Sequence, residues 1–344
     1  MSTVTAGATP LLAVDNLRCL FSVRRGLSDV VARRQHFVHA VDAVSFTLET
    51  GEILALVGES GCGKSTTGRL LVHLLDPTSG HIRFEGRDVT HLTDDELKGF
   101  RRRAQIIFQN PFEIFDPRLM IEASLTQPLA IHGIGEKNDR RRRIVEALES
   151  AGLVPGTDYL ARYPHELSGG QLQRIATVRA MLLEPAFLVA DEPVSMLDVS
   201  VRADILNQLL DLRDKYGMAI LFITHDIAVA RYVASRIAVM YLGAFMEIGD
   251  ADTVVAAPQH PYTRALLSHT LPVGDEEGAF APLEISGDPP TPVDLGAGCR
   301  FAGRCPFTFD RCLTETPLLR PAPTGQLVAC HLVDETHTVD FPAP

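Results

Sequence analysis

Residues 58–65 combine the side chains and the spacing best suited to chemistry in this chain. They read GESGCGKS and match G-x-x-x-x-G-K-[ST], between an apolar run at 52–57 and a helix predicted at 65–75. Glycines let backbone N–H groups turn inward around phosphate oxygens, the lysine adds positive charge, and the serine hydroxyl can bind Mg²⁺. The predicted phosphate-binding loop consists of Gly58, Glu59, Ser60, Gly61, Cys62, Gly63, Lys64, Ser65 and Thr66.

A pair of carboxylates follows a second apolar run. Residues 187–190 are predicted to form a buried strand, and Asp191 and Glu192 stand at its carboxyl end, where open α/β sheets bind ligands. Asp191 suits the Mg²⁺ shell through a water, and Glu192 is placed to polarise a water that attacks a terminal phosphate. Such a pair alone is more typical of a solvated loop, but the phosphate loop favours the catalytic interpretation.

A second anion clamp is predicted at residues 168–171. Ser168 offers a hydroxyl, while Gly169 and Gly170 offer backbone N–H groups without side-chain bulk, ahead of Gln171 and an apolar-periodic run. The N-terminus of a helix favours anions through its unpaired amides and its dipole. The segment therefore predicts a second phosphate contact about a hundred residues after the first.

The order of these motifs, together with three further residues, resembles that of ATP-binding cassette (ABC) ATPases. The resemblance implies that Gln109, after an apolar run, links the γ-phosphate and the metal to transmembrane subunits. It implies that His225 senses the γ-phosphate and that Asp198 crosses a dimer interface. In such proteins the segment at 168–171 faces a nucleotide held by a partner cassette, so one copy cannot complete a catalytic site.

The resemblance also implies roles residue by residue. The implied catalytic residues are Lys64, Gln109, Glu192 and His225. The implied Mg²⁺ ligands are Ser65, Gln109 and Asp191. The implied ATP contacts are the phosphate loop, Gln109, Ser168, Gly169, Gly170, Gln171, Asp191 and Asp198. Phe21 occupies the place of the aromatic that stacks on adenine, with a core phenylalanine on an edge strand at 12–21 as the alternative.

The implied fold is an α/β P-loop NTPase of the RecA-like type. Alternation of strands and helices predicts a mainly parallel sheet, and the family adds an antiparallel β edge subdomain, an inserted helical subdomain and a small cysteine-containing C-terminal extension. The nucleotide-binding core is predicted in two parts, 1–109 and 168–257. The helical subdomain lies between them at 110–167, and the proline-rich C-terminal extension follows at 258–344. An insert with four arginines, Arg24, Arg25, Arg33 and Arg34, is predicted as a solvated loop.

Four cysteines crowd the proline-rich C-terminal extension. They are Cys299, Cys305, Cys312 and Cys330. Their spacing matches neither a zinc ribbon nor a ferredoxin, yet four thiolates could fold a segment with little core around a metal; two disulfides are the alternative. Residues 260–268, 287–290 and 299–312 resemble oligopeptide and dipeptide importer ATPases. That resemblance implies a [4Fe–4S] cluster, with Zn²⁺ as the second choice.

Composition narrows the function classes. The 344 residues are 46% hydrophobic and carry a formal net charge of −11, which argues against broad nucleic-acid binding. No apolar run is long enough to span a bilayer, and the N-terminus lacks the pattern of a signal peptide. We expect a peripheral protein at the cytoplasmic face of the inner membrane, whose membrane role comes through a partner.

The resemblance implies an ATP-hydrolysing subunit of a bacterial importer for di- or oligopeptides. The implied partners are a second ATPase subunit that forms a heterodimer, two transmembrane permease subunits and an extracytoplasmic binding protein. Alternatives are an importer ATPase for nickel, glutathione or an oligosaccharide, a soluble ABC ATPase outside transport, or a non-hydrolysing partner subunit.

Overall fold

The computed structural model describes residues 9–23, 35–270, 283, 285 and 287–336, so the arginine-rich insert at 24–34 lies outside it. The chain divides into two compact units, residues 1–91 with 224–344, and residues 92–223. The strands are β1 (Leu12–Ser22), β2 (Phe37–Leu48), β3 (Ile53–Val57), β4 (Ser79–Phe84), β5 (Arg87–Asp88), β6 (Ala104–Ile107), β7 (Phe187–Asp191), β8 (Ala219–Thr224), β9 (Arg236–Tyr241), β10 (Ala244–Asp250), β11 (Arg320–Pro321) and β12 (Leu327–Val328).

The helices complete the list of regular elements. They are α1 (Lys64–Leu71), α2 (Asp94–Arg103), α3 (Ile121–Ile131), α4 (Lys137–Ser150), α5 (Thr157–Leu160), α6 (Gly169–Met181), α7 (Val199–Tyr216), α8 (Ile227–Val233), α9 (Ala251–Ala256), α10 (Pro261–Thr270), α11 (Asp310–Thr314) and α12 (His331–Thr336). Short 3₁₀ turns lie at Pro111–Glu113 and Pro164–Glu166.

The first unit contains an antiparallel sheet in the order β2-β1-β4-β5. Strand β1 pairs with β2 from Leu12 opposite Leu48, and with β4 from Leu12 opposite Phe84. Alternating burial along β1 places Leu12, Val14 and Leu17 in the core, as expected for a sheet with one covered face.

A second sheet of the first unit contains the phosphate loop's strand. Strand β3 pairs in parallel with β9, which forms an antiparallel hairpin with β10. All five residues of β3 are buried, the pattern of a parallel strand covered on both faces. The C-terminal extension joins this sheet, because β12 pairs with β10 at Glu247 opposite Val328, and β11 pairs with β12.

The second unit holds the parallel strands β6, β7 and β8. Residue Phe187 lies opposite Ala104 on one side and Ala219 on the other. Helices of the same unit share a hydrophobic cluster whose members recur at helical spacing. The cluster includes Ile121, Leu125, Leu129, Ile144, Leu148, Leu172 and Ile175, all fully buried.

Several element boundaries differ from the sequence-based predictions. The helix predicted at 65–75 ends at Leu71, because the chain turns at His73, whose φ is +55°. The edge strand predicted at 12–21 ends one residue later, at Ser22. The C-terminal extension, predicted as a part of its own at 258–344, adds a strand to a sheet of the first unit.

Candidate nucleotide site

The phosphate loop runs from the end of β3 to the start of α1, as the sequence predicts. Two of its glycines are required by close packing. A Cβ at Gly58 would lie 2.2 Å from the carbonyl oxygen of Met240, and one at Gly63 would lie 2.0 Å from that of Ala40. Gly63 also has a φ of +107° and caps α1. The loop backbone is therefore held against its neighbours in a way that excludes any side chain at these positions.

Lys64 is buried within this loop. Its Nζ donates hydrogen bonds to the carbonyl oxygens of Gly58 and Glu59, at 2.7 Å and 2.9 Å. Ser65 and Thr66 are half-buried in the first turn of α1. Burial raises the pKa of the Cys62 thiol, so this cysteine is protonated and serves as packing inside the loop.

The Gln109 amide and the Glu192 carboxylate of the second unit lie within hydrogen-bond distance of each other beside β7. The Gln109 amide donates a 2.9 Å hydrogen bond from Nε2 to Oε2 of Glu192, and Nε2 lies 3.5 Å from the Ser195 hydroxyl. Glu192 has a φ of +45°, and its N–H donates to the carbonyl oxygen of Ile223. Asp191 is 3% exposed at the end of β7. A carboxylate with an amide donor and a turned backbone is suited to hold and polarise a water.

The comparisons with known proteins agree on one family. Residues 41–195 match the family model described as ABC transporter, and residues 246–312 match the one described as oligopeptide/dipeptide transporter, C-terminal region. A Brucella ovis protein named for peptide import and ATP binding is 46% identical over 322 residues, covering 94% of this chain and 98% of that protein. The chain belongs to the ABC transporter ATP-binding proteins.

Other relatives and solved structures agree. The oligopeptide transport ATP-binding protein AppF of Bacillus subtilis is 39% identical, covering 95% of this chain and 98% of its own. A dimeric ATP-binding cassette solved with ADP and Pi after hydrolysis is 28% identical, with a TM-score of 0.61 and coverage of 70% of this chain and 98% of that one. The fold class is thereby confirmed, and the chain is an ABC-type ATPase.

The other ABC motif residues lie at element ends. Ser168 is the N-cap of α6: its hydroxyl accepts from the Gln171 N–H at 3.3 Å, and the Gln171 carboxamide oxygen accepts from the Ser168 N–H at 3.0 Å. Beside this cap, Gly169 is exposed and Gly170 half-buried. Asp198 is the N-cap of α7. The segment at 168–171 therefore begins a helix, as the predicted anion clamp requires.

Two residues that are predicted to contact ATP, His225 and Phe21, are exposed in the first unit. His225 follows β8 directly and is exposed, while the next residue, Asp226, caps α8 by accepting from two backbone N–H groups. The Phe21 side chain is 42% exposed, opposite Val38 in β2. Its exposure makes Phe21 available for stacking, in contrast to the alternative of a buried core residue.

The four cysteines of the extension line one small cavity together with Phe301. All four are free thiols, which contradicts the two-disulfide alternative. Burial raises the pKa of Cys299 to about 11 and that of Cys330 to about 12, so both thiols are protonated without a cation. Within the described ranges, no three His, Cys, Asp or Glu side chains stand at metal-binding spacing. The donor set fits a thiolate-bound metal, although binding would require these side chains to rearrange.

Sequence reasoning missed two contacts of the phosphate loop. The Glu59 N–H donates a 2.9 Å hydrogen bond to the Tyr262 hydroxyl, and Arg304 pairs with the Glu59 carboxylate at 2.8 Å. Tyr262 and Arg304 stand in stretches that resemble the peptide importer ATPases, and this resemblance was the only signal for them.

A membrane-spanning helix would need a long apolar segment, and none of the helices among the described residues has one.

Proposed function

We propose that this chain hydrolyses ATP to drive import of di- or oligopeptides. The proposed hydrolytic activity is supported mainly by the hydrogen bond between the Gln109 amide and the Glu192 carboxylate. The peptide class is supported by the relatives named for peptide import and by the match at 246–312. Nickel, glutathione and oligosaccharides are the alternative solutes.

The chemistry is largely positioning and charge stabilisation. Lys64 exchanges the carbonyl oxygens of Gly58 and Glu59 for β- and γ-phosphate oxygens. Ser65, Gln109 and Asp191 would hold Mg²⁺, which neutralises charge that develops on the phosphates.

The remaining roles concern the attacking water and the γ-phosphate. The Glu192 carboxylate takes the proton of the attacking water, and the Gln109 amide keeps that carboxylate oriented. His225 donates to the γ-phosphate, and Phe21 stacks on adenine. Together these roles make ATP the substrate.

A partner subunit is implied by the segment at 168–171 and by Asp198. Ser168, Gly169, Gly170, Gln171 and Asp198 would contact a nucleotide held by a second ATPase subunit, and the solved dimeric cassette supports such a pairing. We propose a heterodimer at the cytoplasmic face of the inner membrane, with two permease subunits and an extracytoplasmic binding protein. Fractionation with ribosomes instead of membranes would support the non-transport alternative.

The four cysteines would hold a [4Fe–4S] cluster, with Zn²⁺ as the alternative. Bound metal would supply folding energy to a segment with a small hydrophobic core, Ala322, Val328 and Val333. Anaerobic purification followed by iron, acid-labile sulfide and zinc analysis tests both metals. Protein with none of the three would contradict a metal at this site.

Glu192→Gln tests the catalytic assignment. In the assembled transporter we expect turnover to fall by at least about 100-fold while Mg-ATP stays bound, because the general base is lost and the phosphate contacts remain. Glu184→Gln, an exposed glutamate of the same unit, is the control. Full turnover in the Glu192→Gln protein would contradict the role of Glu192.

Uptake by cells tests the substrate class. A labelled peptide should accumulate in cells with the intact transporter and should fail to accumulate with Glu192→Gln. Nickel, glutathione and an oligosaccharide serve as parallel substrates. Uptake of one of these, with no uptake of peptide, would replace the peptide assignment and leave the ATPase assignment intact.

A further inference from the structure

Glu59 of the phosphate loop is held at three points. Its N–H donates to the Tyr262 hydroxyl at 2.9 Å, and its carbonyl oxygen accepts from Lys64 Nζ at 2.9 Å. Its two carboxylate oxygens lie 2.8 Å and 3.1 Å from Nη1 of Arg304. Two of these three partners belong to the chain after residue 258, so the extension holds the loop residue next to Gly58.

Arg304 is itself fixed and largely removed from water. Its side chain is 10% exposed, and its guanidinium lies 5.8 Å from the centre of the Tyr241 ring. Nη1 also lies 3.4 Å from the Tyr241 hydroxyl. Charge-assisted hydrogen bonds in such surroundings are stronger than on an open surface, and loss of one partner leaves a buried charge unpaired.

An aromatic cluster connects this contact to the cysteine segment. Tyr241, Tyr262 and Phe301 are almost fully buried, with ring centres between 4.7 Å and 5.4 Å apart. The Arg304 N–H donates to the Phe301 carbonyl oxygen, so Arg304 lies in a tight turn between Cys299 and Cys305. The position of the guanidinium is therefore set by the cysteine segment.

A second arginine anchors the same turn. Arg300 Nη2 pairs with the Asp42 carboxylate of β2 at 2.5 Å, and Nη1 donates to the Leu242 carbonyl oxygen. Neither contact touches the phosphate loop. Arg300 therefore keeps the turn attached to the first unit when the Arg304 contact is removed. Mutation of Arg304 can thus remove the contact with Glu59 without detaching the turn.

We propose that Arg304 is a positioning residue that couples the cysteine segment to nucleotide affinity through Glu59. An uncompensated carboxylate beside Gly58 repels incoming phosphates, and it leaves the loop without its side-chain tether. Arg304 neutralises that charge and fixes the loop. The proposal rests on ATP as the ligand of the phosphate loop.

A double-mutant cycle on the full-length chain tests this coupling. Binding of Mg²⁺ and a fluorescent ATP analogue is measured for wild type, Arg304→Gln, Glu59→Gln and the double variant. We expect Arg304→Gln to weaken binding roughly tenfold, equivalent to about 1.4 kcal/mol. Glu59→Gln in the same chain should restore most of that loss, because it removes the charge that Arg304 compensates.

Turnover in the assembled transporter separates positioning from chemistry. Arg304→Gln should raise KM for ATP about tenfold with little change in kcat, because the groups near Glu192 are untouched. Arg304→Lys should retain part of the affinity. Arg311→Gln, which removes an exposed ion pair with Glu315 in the same extension, is the control for a general loss of positive charge.

The outcomes distinguish this proposal from the ATPase assignment. Wild-type chain that binds no ATP analogue would contradict the proposed function itself. Wild-type binding with unchanged affinity in Arg304→Gln would overturn the coupling alone. A loss that Glu59→Gln does not rescue would also overturn it, since a merely misfolded extension would behave in that way.

Discussion

The phosphate loop and the surface that carries Glu192 are built in opposite ways. The loop packs so closely that Gly58 and Gly63 contact neighbouring backbone carbonyls, and its Lys64 side chain is 5% exposed. Gln109, by contrast, is exposed, and Glu192 is half-buried on a turned backbone. The binding groups are held by packing, whereas the proposed hydrolytic pair, Gln109 and Glu192, is joined by a side-chain hydrogen bond.

This difference separates two tasks of the enzyme. A loop that must receive phosphates in one geometry gains from preorganisation, because each backbone N–H is then already aimed. Groups that are proposed to act only after closure with a second ATPase subunit gain from freedom to move on an exposed surface. We therefore expect mutations in the loop to act on stability and binding together, and mutations around Glu192 to act on turnover.

The largest effect is expected from Gly63→Ala. The new Cβ would meet the Ala40 carbonyl oxygen at 2.0 Å, and the backbone would have to keep a φ of +107°. We expect the free energy of unfolding to fall by about 3–5 kcal/mol and ATP binding to be lost. Chemical denaturation and nucleotide binding measure the two effects.

Gly61→Ala is the matched control for that substitution. Gly61 has a φ of +78°, but a Cβ there would have no atom within 4 Å. Only backbone strain remains, so we expect a loss of about 1–2 kcal/mol. Equal losses for the two variants would contradict close packing as the feature that holds the loop.

The same contrast explains what the sequence could predict. The phosphate loop is local in sequence, so its motif and flanking strand were sufficient to locate Lys64 and Ser65. The Arg304–Glu59 pair joins residues 245 positions apart, and no pattern in either segment encodes that distance. The end of α1 was missed because His73 adopts a positive φ, a conformation that its residue type does not demand.

A smaller effect is expected from Gln109→Ala. The substitution removes the 2.9 Å hydrogen bond to the Glu192 carboxylate and one proposed Mg²⁺ ligand, so we expect kcat in the assembled transporter to fall about tenfold with a smaller rise in KM for ATP. Gln105→Ala, which removes an amide bonded to the Arg101 carbonyl oxygen in the same unit, should leave kcat unchanged. A rise in KM without a fall in kcat would place Gln109 with the binding groups instead.

The smallest effect is expected from Ser168→Ala on stability. The Ser168 hydroxyl caps α6 through the Gln171 N–H, so its loss should lower the free energy of unfolding by about 1 kcal/mol. Denaturation of the full-length chain measures this change. Ser168→Asp keeps an acceptor at the cap and should retain stability.

Turnover of the Ser168 variants then distinguishes the role of Ser168 as the N-cap of α6 from its proposed role as a phosphate contact. If the hydroxyl faces a nucleotide on the second subunit, Ser168→Asp brings a negative charge to its phosphates and should abolish turnover in the assembled transporter. Wild-type turnover in Ser168→Asp would mean that Ser168 serves only the helix. In that case Ser168 would no longer count as a ligand contact of the second unit. The contrast between the closely packed phosphate loop and the exposed surface around Glu192 would then depend on Glu192 and Gln109 alone.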